Sequence, residues 1–108
     1  MKLFISQPMR DKTDDEIKAE RKRIVGEVQK LFPTEKIEVL DSFFEGVPHD
    51  ATPLWYLGES IKLLGQADFV YFAKDWEDYR GCGIEYMCAK QYGYEFIAED
   101  AGRMSLNN

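Results

Sequence analysis

Residues 67–73, "ADFVYFA", constrain this chain more than any other stretch. Nearly every side chain in the run is apolar. A strand with one wet face alternates apolar and polar residues, whereas a strand apolar at every position needs cover on both faces. That pattern belongs to a central strand of a parallel sheet, with helices above and below.

The rest of the chain supplies the partners such a strand needs. "KLFIS" (2–6), "KIEVL" within 36–44 and "YEFIA" (94–98) are short apolar runs bounded by turn residues, and each is expected to be a strand. Between them lie helical patterns. "TDDE" makes a capping box of Thr13 and Glu16, and Ile17, Ile24, Val25, Val28, Leu31 and Phe32 then recur at helical spacing until Pro33. Thr52 and Pro53 suit the cap and first position of a second helix, with Leu54, Leu57, Ile61 and Leu64 on its inward side. "KDWEDYRGCG" is expected to be a loop, "IEYMCAKQY" a third helix, and Gly93 its stop. Strands alternating with helices, joined by right-handed crossovers, predict an α/β fold: a single flavodoxin-like three-layer domain. Its parallel sheet has about four strands in the order 2-1-3-4. The domain spans 1–98, followed by a polar C-terminal tail, 99–108.

At 108 residues and 44% hydrophobic, the chain can bury one core and not two. Twenty acidic residues against 14 basic give a formal charge of −6, which argues against a nucleic acid polymer as partner. No run approaches a membrane span, and "MKLFISQPM" is too short an apolar start for a secretory signal. Cys82 and Cys88 fit neither a disulfide framework nor a zinc knuckle, and His49 is the single histidine. A reduced, cytoplasmic setting is expected, with no metal and no organic cofactor.

In doubly wound sheets, ligands bind beyond the carboxyl ends of the strands where the strand order reverses. Here that point lies between the loops "SQPMR", after strand one, and "KDWEDYRGCG", after strand three. Gly81 and Gly83 permit positive φ and close backbone approach ahead of a helix N-terminus that attracts anions; a plain tight turn is the other reading. Glu85 falls in the first turn of that helix, where acidic residues are favoured for the dipole alone. With Asp75 and Asp78 upstream, it also fits the two-carboxylate logic of glycosidic chemistry, one group attacking the anomeric carbon and the other handling a proton. Trp76, Tyr79, Phe43 and Phe44 can stack on a nucleobase or pack as a lid. Arg10 and Arg80 can meet a phosphate bidentately, or Arg80 can pair with Asp75, Glu77 or Asp78 and order the loop. Cys82 reads as a small filler.

These residues carry a resemblance. "FISQPM", "DSFF", "SIKLLGQADFVYFAKDW" and "RGCGIEYMCAKQYG" together resemble the nucleoside 2-deoxyribosyltransferase-like superfamily, and within it a small branch found in bacteria and phages. The likeness runs from about residue 2 to residue 98, and "GCGIE" is its most specific part. It implies cleavage of the N-glycosidic bond of a nucleoside or its monophosphate through a covalent 2-deoxyribosyl-glutamate, formed on Glu85 and passed to another base or to water. It implies that Asp78 or Asp75 assists the leaving base or contacts the sugar. It implies that Ser6, Gln7, Pro8 and Met9 border the sugar pocket and that "RGCG" borders a 5′-hydroxyl or phosphate. Ser42 and Phe43, in "DSFF", count as substrate contacts on the same ground. The chain departs from the family in two places. Asp78 matches the family's aspartate ahead of the glycine turn with a one-residue shift, and Glu59 and Ser60 stand where nucleotide hydrolases often carry an acid.

The expected partner is therefore a small nucleoside or nucleotide. Two other readings share the fold: a nucleotide-binding sensor without turnover, and a protein-interaction domain. "PLWYLGESIKLL" carries more apolar surface than one helix on a small sheet requires, so a homo-oligomer, a dimer or larger, is expected.

Overall fold

The computed structural model describes residues 1–41 and 46–99. Strand β1 (Lys2–Ser6) leads through helix α1 (Asp14–Leu31) to β2 (Glu38–Leu40), then helix α2 (Pro53–Leu64), β3 (Phe69–Phe72), helix α3 (Arg80–Gln91) and β4 (Phe96–Ala98). A single 3-10 turn, Trp76–Asp78, interrupts the connection from β3 to α3. All strand pairs are parallel, and the sheet order is β2-β1-β3-β4, as the sequence predicts.

Alternation along the two central strands divides the core. Leu3, Ile5, Phe69 and Tyr71 face α1 and meet Ile24 and Val28. Phe4, Val70 and Phe72 face the other way and meet Leu40, Leu64 and Ala89. Every residue of β3 is buried, which is the two-sided cover its sequence demands. The capping box forms as read: Thr13 Oγ accepts from the Glu16 amide, and Glu16 accepts from the Thr13 amide. Gly93, just past the end of α3, takes the left-handed conformation at φ 74° and stops the helix. Among the described residues no helix is long and apolar enough to cross a membrane.

Three expectations need correction. Strand β2 is shorter than the apolar run around it. The inward side of α2 is also less buried than its leucines suggest: Leu64 alone is buried, and Leu54 is 75% exposed. The first turns of α2 lie over the ligand end of the sheet, where Pro53, Tyr56 and Leu57 line a cleft instead of a core. Lastly, α3 begins at Arg80, so "RGC" is its first turn and not part of the preceding loop.

Beyond β4, Glu99 is tied in. Its amide donates to the Phe72 carbonyl, and its carboxylate accepts from Arg23 at 2.6 Å, joining the sheet edge to α1.

Candidate active site

The register between β1 and β3 pairs Ser6 with Phe72, so both strands end at the same level and their loops diverge from there. The Ala73 amide donates to the Ser6 carbonyl at 2.8 Å and closes that boundary. A cleft of about 270 Å³ opens at this point. One wall is the loop after β1, from Ser6 to Arg10. The opposite wall is the start of α3, with Tyr79, Arg80, Gly81, Cys82 and Glu85. Pro53, Tyr56, Leu57 and Ser60 of α2 form the third side.

Glu85 sits in the second turn of α3, not the first, because the helix starts five residues earlier. A full turn and a half turns its side chain inward, and it is only 7% exposed. Ser6 Oγ donates to its Oε1 at 2.6 Å, and the Ser60 hydroxyl lies on the same cleft and also favours the charged form. Burial pushes the carboxyl up from 4.5 to about 7, against the two hydroxyl donors, which favour the charged form. Dipole decoration does not describe this residue, since decoration stays in water. A buried carboxylate that titrates near neutrality, in a cleft at the switch point, has the properties of a reactive group.

The hydroxyl donors set how far that perturbation goes. Removing one, in Ser6→Ala, leaves the burial and takes away part of its counterweight. The midpoint of Glu85 should then move further above 7, read by carbon-13 NMR titration of the glutamate carboxyls. An unchanged midpoint would show that Ser6 does not bear on the carboxylate.

Cys82 lies beside Glu85 and is buried as well. Burial pushes its thiol up to about 11, aided by the neighbouring carboxylate and opposed by Ser6. It is a neutral thiol at physiological pH and a poor nucleophile, in line with its reading as a filler.

No family model matches this chain. Neither a curated protein nor a solved structure matches it significantly.

The structure brings most of the expected site residues together and sends others elsewhere. Ser6, Gln7, Pro8, Met9, Arg10, Arg80, Gly81 and Glu85 line the one cleft. Gln7 is there by its backbone position; its side chain donates to the Ile17 carbonyl and accepts from Arg21, so it braces α1. Asp75 and Asp78 do not line the cleft. They belong to a neighbouring bowl of about 590 Å³, shared with Asp11, Arg10, Tyr79 and Arg80. Their place beside Glu85 in sequence does not bring them beside it in space, because the 3-10 turn carries them outward.

Trp76 does not line the cleft. It stacks on Tyr86 at 4.4 Å between ring centroids, and its Nε1 donates to the Glu99 carbonyl. Gly83 faces the far side of α3, against Ile84 and Met87. Neither Gly81 nor Gly83 has positive φ; both lie in ordinary helix. What Gly81 supplies is room, since a Cβ there would meet no protein atom within 4 Å on a wall of the cleft. Ser42 and Phe43 lie outside the described residues.

The sequence reading missed α2's contribution. Ser60 lines the cleft with Glu85 and favours its charged form, yet it looked like a mismatch to a family acid. Its neighbour Glu59 pairs with Lys62 at 2.8 Å on the outer surface. The available signal was a serine set between Leu57 and Leu64 on an otherwise apolar helix side, where a hydroxyl needs a buried partner.

Proposed function

We propose that the protein cleaves the N-glycosidic bond of a nucleoside or nucleotide, with Glu85 as the nucleophile. The observation that carries this reading is the buried Glu85 carboxylate, held by Ser6 at the switch-point cleft that Ser60 also lines. In its ionised form the carboxylate attacks C1′, the base departs with the glycosidic electron pair, and a glycosyl ester results. Water or a second base then displaces Glu85. Covalent capture divides one difficult step into two easier ones. Ser6 orients the carboxylate, and the Ser6 and Ser60 hydroxyls keep part of it ionised at neutral pH. The resemblance of "GCGIE" to the deoxyribosyltransferase-like superfamily supports the same assignment. The chemistry needs no metal or organic cofactor, and a cytoplasmic nucleoside or nucleotide pool would supply the substrate.

Incubation with a panel of deoxynucleosides and their 5′-monophosphates, followed by chromatography, tests this. Free base is the expected result. Thermal stabilisation by a ligand without base release would replace the enzyme with a binding module.

The same reading includes assembly. Leu54 and Tyr56 are exposed on α2, and Ile84, Met87 and Tyr92 on α3. Together these side chains offer apolar surface of the sort subunit contacts cover. A dimer or larger assembly is expected by light scattering at micromolar concentration, and a monomer mass would remove it.

A further inference from the structure

Two cavities meet at the ligand end of the sheet. The inner cleft holds Glu85, the outer bowl holds Asp11, Asp75 and Asp78, and Arg10, Tyr79 and Arg80 line both. A ligand in one can therefore continue into the other across a partition bearing two guanidinium groups.

Those two groups are free. Arg21 is tied to Gln7 and Asp41, and Arg23 to Glu20 and Glu99. Arg10 and Arg80 make no ion pair and no side-chain hydrogen bond with any described residue, although three aspartates share their bowl. Unpaired arginines, one on the loop after β1 and one at the start of α3, lining one partition, suit an anion with more than one phosphate oxygen to offer. Beyond them the bowl turns acidic, which repels further phosphate and accepts hydroxyl donors, as a sugar carries.

The inner cleft adds an independent constraint. Among the described residues Glu85 is the only carboxylate lining it. Once Glu85 attacks C1′, the described residues lining the cleft offer no second carboxylate to protonate a departing base. Common purines and pyrimidines leave slowly when that proton must come from water. A pyridinium needs no proton, because it is already cationic and departs as a neutral molecule. Tyr56 and Tyr79, on the cleft wall, are aromatic neighbours suited to a cationic ring.

We propose that the substrate is a pyridinium dinucleotide, with its pyridinium glycoside in the inner cleft, its pyrophosphate on Arg10 and Arg80, and its second nucleoside in the outer bowl. The proposal rests on Glu85 being the glycosidic nucleophile. The step balances without another reactant than water. A Glu85 oxygen bonds to C1′, the C1′–N bond breaks, and its electron pair neutralises the ring nitrogen. Water then cleaves the ester, giving the dinucleotide's free sugar, the Glu85 carboxylate and one proton.

Nicotinamide adenine dinucleotide and nicotinamide mononucleotide are the probes, since they share the pyridinium and differ in the second nucleotide. By calorimetry on Glu85→Gln, which removes turnover, the dinucleotide should bind at least about tenfold tighter than the mononucleotide, the scale of one added charge-assisted contact. Asp75→Asn with Asp78→Asn in that background should cut this advantage to below about threefold. Arg10→Ala with Arg80→Ala should weaken dinucleotide binding by about ten- to a hundredfold. The wild-type protein should release nicotinamide. Equal affinity for the two probes overturns the proposal, and that comparison decides alone if the charge variants fail to fold by circular dichroism. Release of purine or pyrimidine from deoxynucleosides, with no dinucleotide binding, overturns it and leaves the glycosidase reading standing. Tight dinucleotide binding with no nicotinamide release overturns both.

Discussion

Glu85→Gln should remain folded and lose more than about a thousandfold in turnover, the loss expected when a covalent nucleophile is removed. Glutamine fills the same volume and can still bond to Ser6, so the cleft keeps its shape. Its amide oxygen cannot form the glycosyl ester. The loss should fall on kcat, while binding measured by calorimetry stays. Base release by a folded Glu85→Gln protein at a rate within tenfold of wild type would end the assignment. A change confined to KM would recast Glu85 as a binding group.

The same substitution should make the protein more stable at alkaline pH. In the unfolded chain Glu85 ionises near 4.5, and in the folded chain near 7. Between those values the folded state holds a proton that the unfolded state has released. Stability contributed by this group is therefore present below pH 4.5 and lost as pH rises toward 7, the reverse of a salt-bridged acid. The full loss corresponds to at most about 3 kcal/mol, from the gap between 4.5 and about 7. Glutamine has nothing to ionise and escapes it. Urea unfolding of the two proteins should give similar stabilities at pH 4.5, and at pH 8 the variant should be ahead by up to that amount. An advantage equal at both pH values would show that ionisation is not its source.

The fold was legible because its strongest signals are local. The unbroken apolar run of β3 left one environment open to it. "TDDE" and Pro53 mark helix starts by mechanisms that act within one turn. Gly93 takes the left-handed conformation that its position at a helix end demands. The site was legible only in part, because a site depends on where elements end relative to one another. Glu85 was found, but the start of α3 was placed four residues late. That put Glu85 in the wrong turn and made Gly81 and Gly83 a bent loop. Asp75 and Asp78 were grouped with Glu85 because they are near it in sequence, and a single 3-10 turn separates them in space. Trp76 was offered to a nucleobase, yet its ring completes a cluster with Phe72, Tyr86 and Phe96. Ser60 went unrecognised because its partner is 25 residues away.

The two helices that frame the cleft are held unequally. α3 buries Cys82, Glu85 and Ala89, and its Tyr86 packs into an aromatic cluster. α2 buries Leu64 alone, at its far end. Resistance to local opening follows buried contact, so amides in the first turns of α2 should exchange with solvent ahead of those in α3. Glu85 thus stands on the fixed wall, and Tyr56 and Leu57 stand on the yielding one. Substitutions at those two positions cost the core little and reshape what the cleft admits. A chain built this way can change its substrate range through α2 while Glu85 stays where it is.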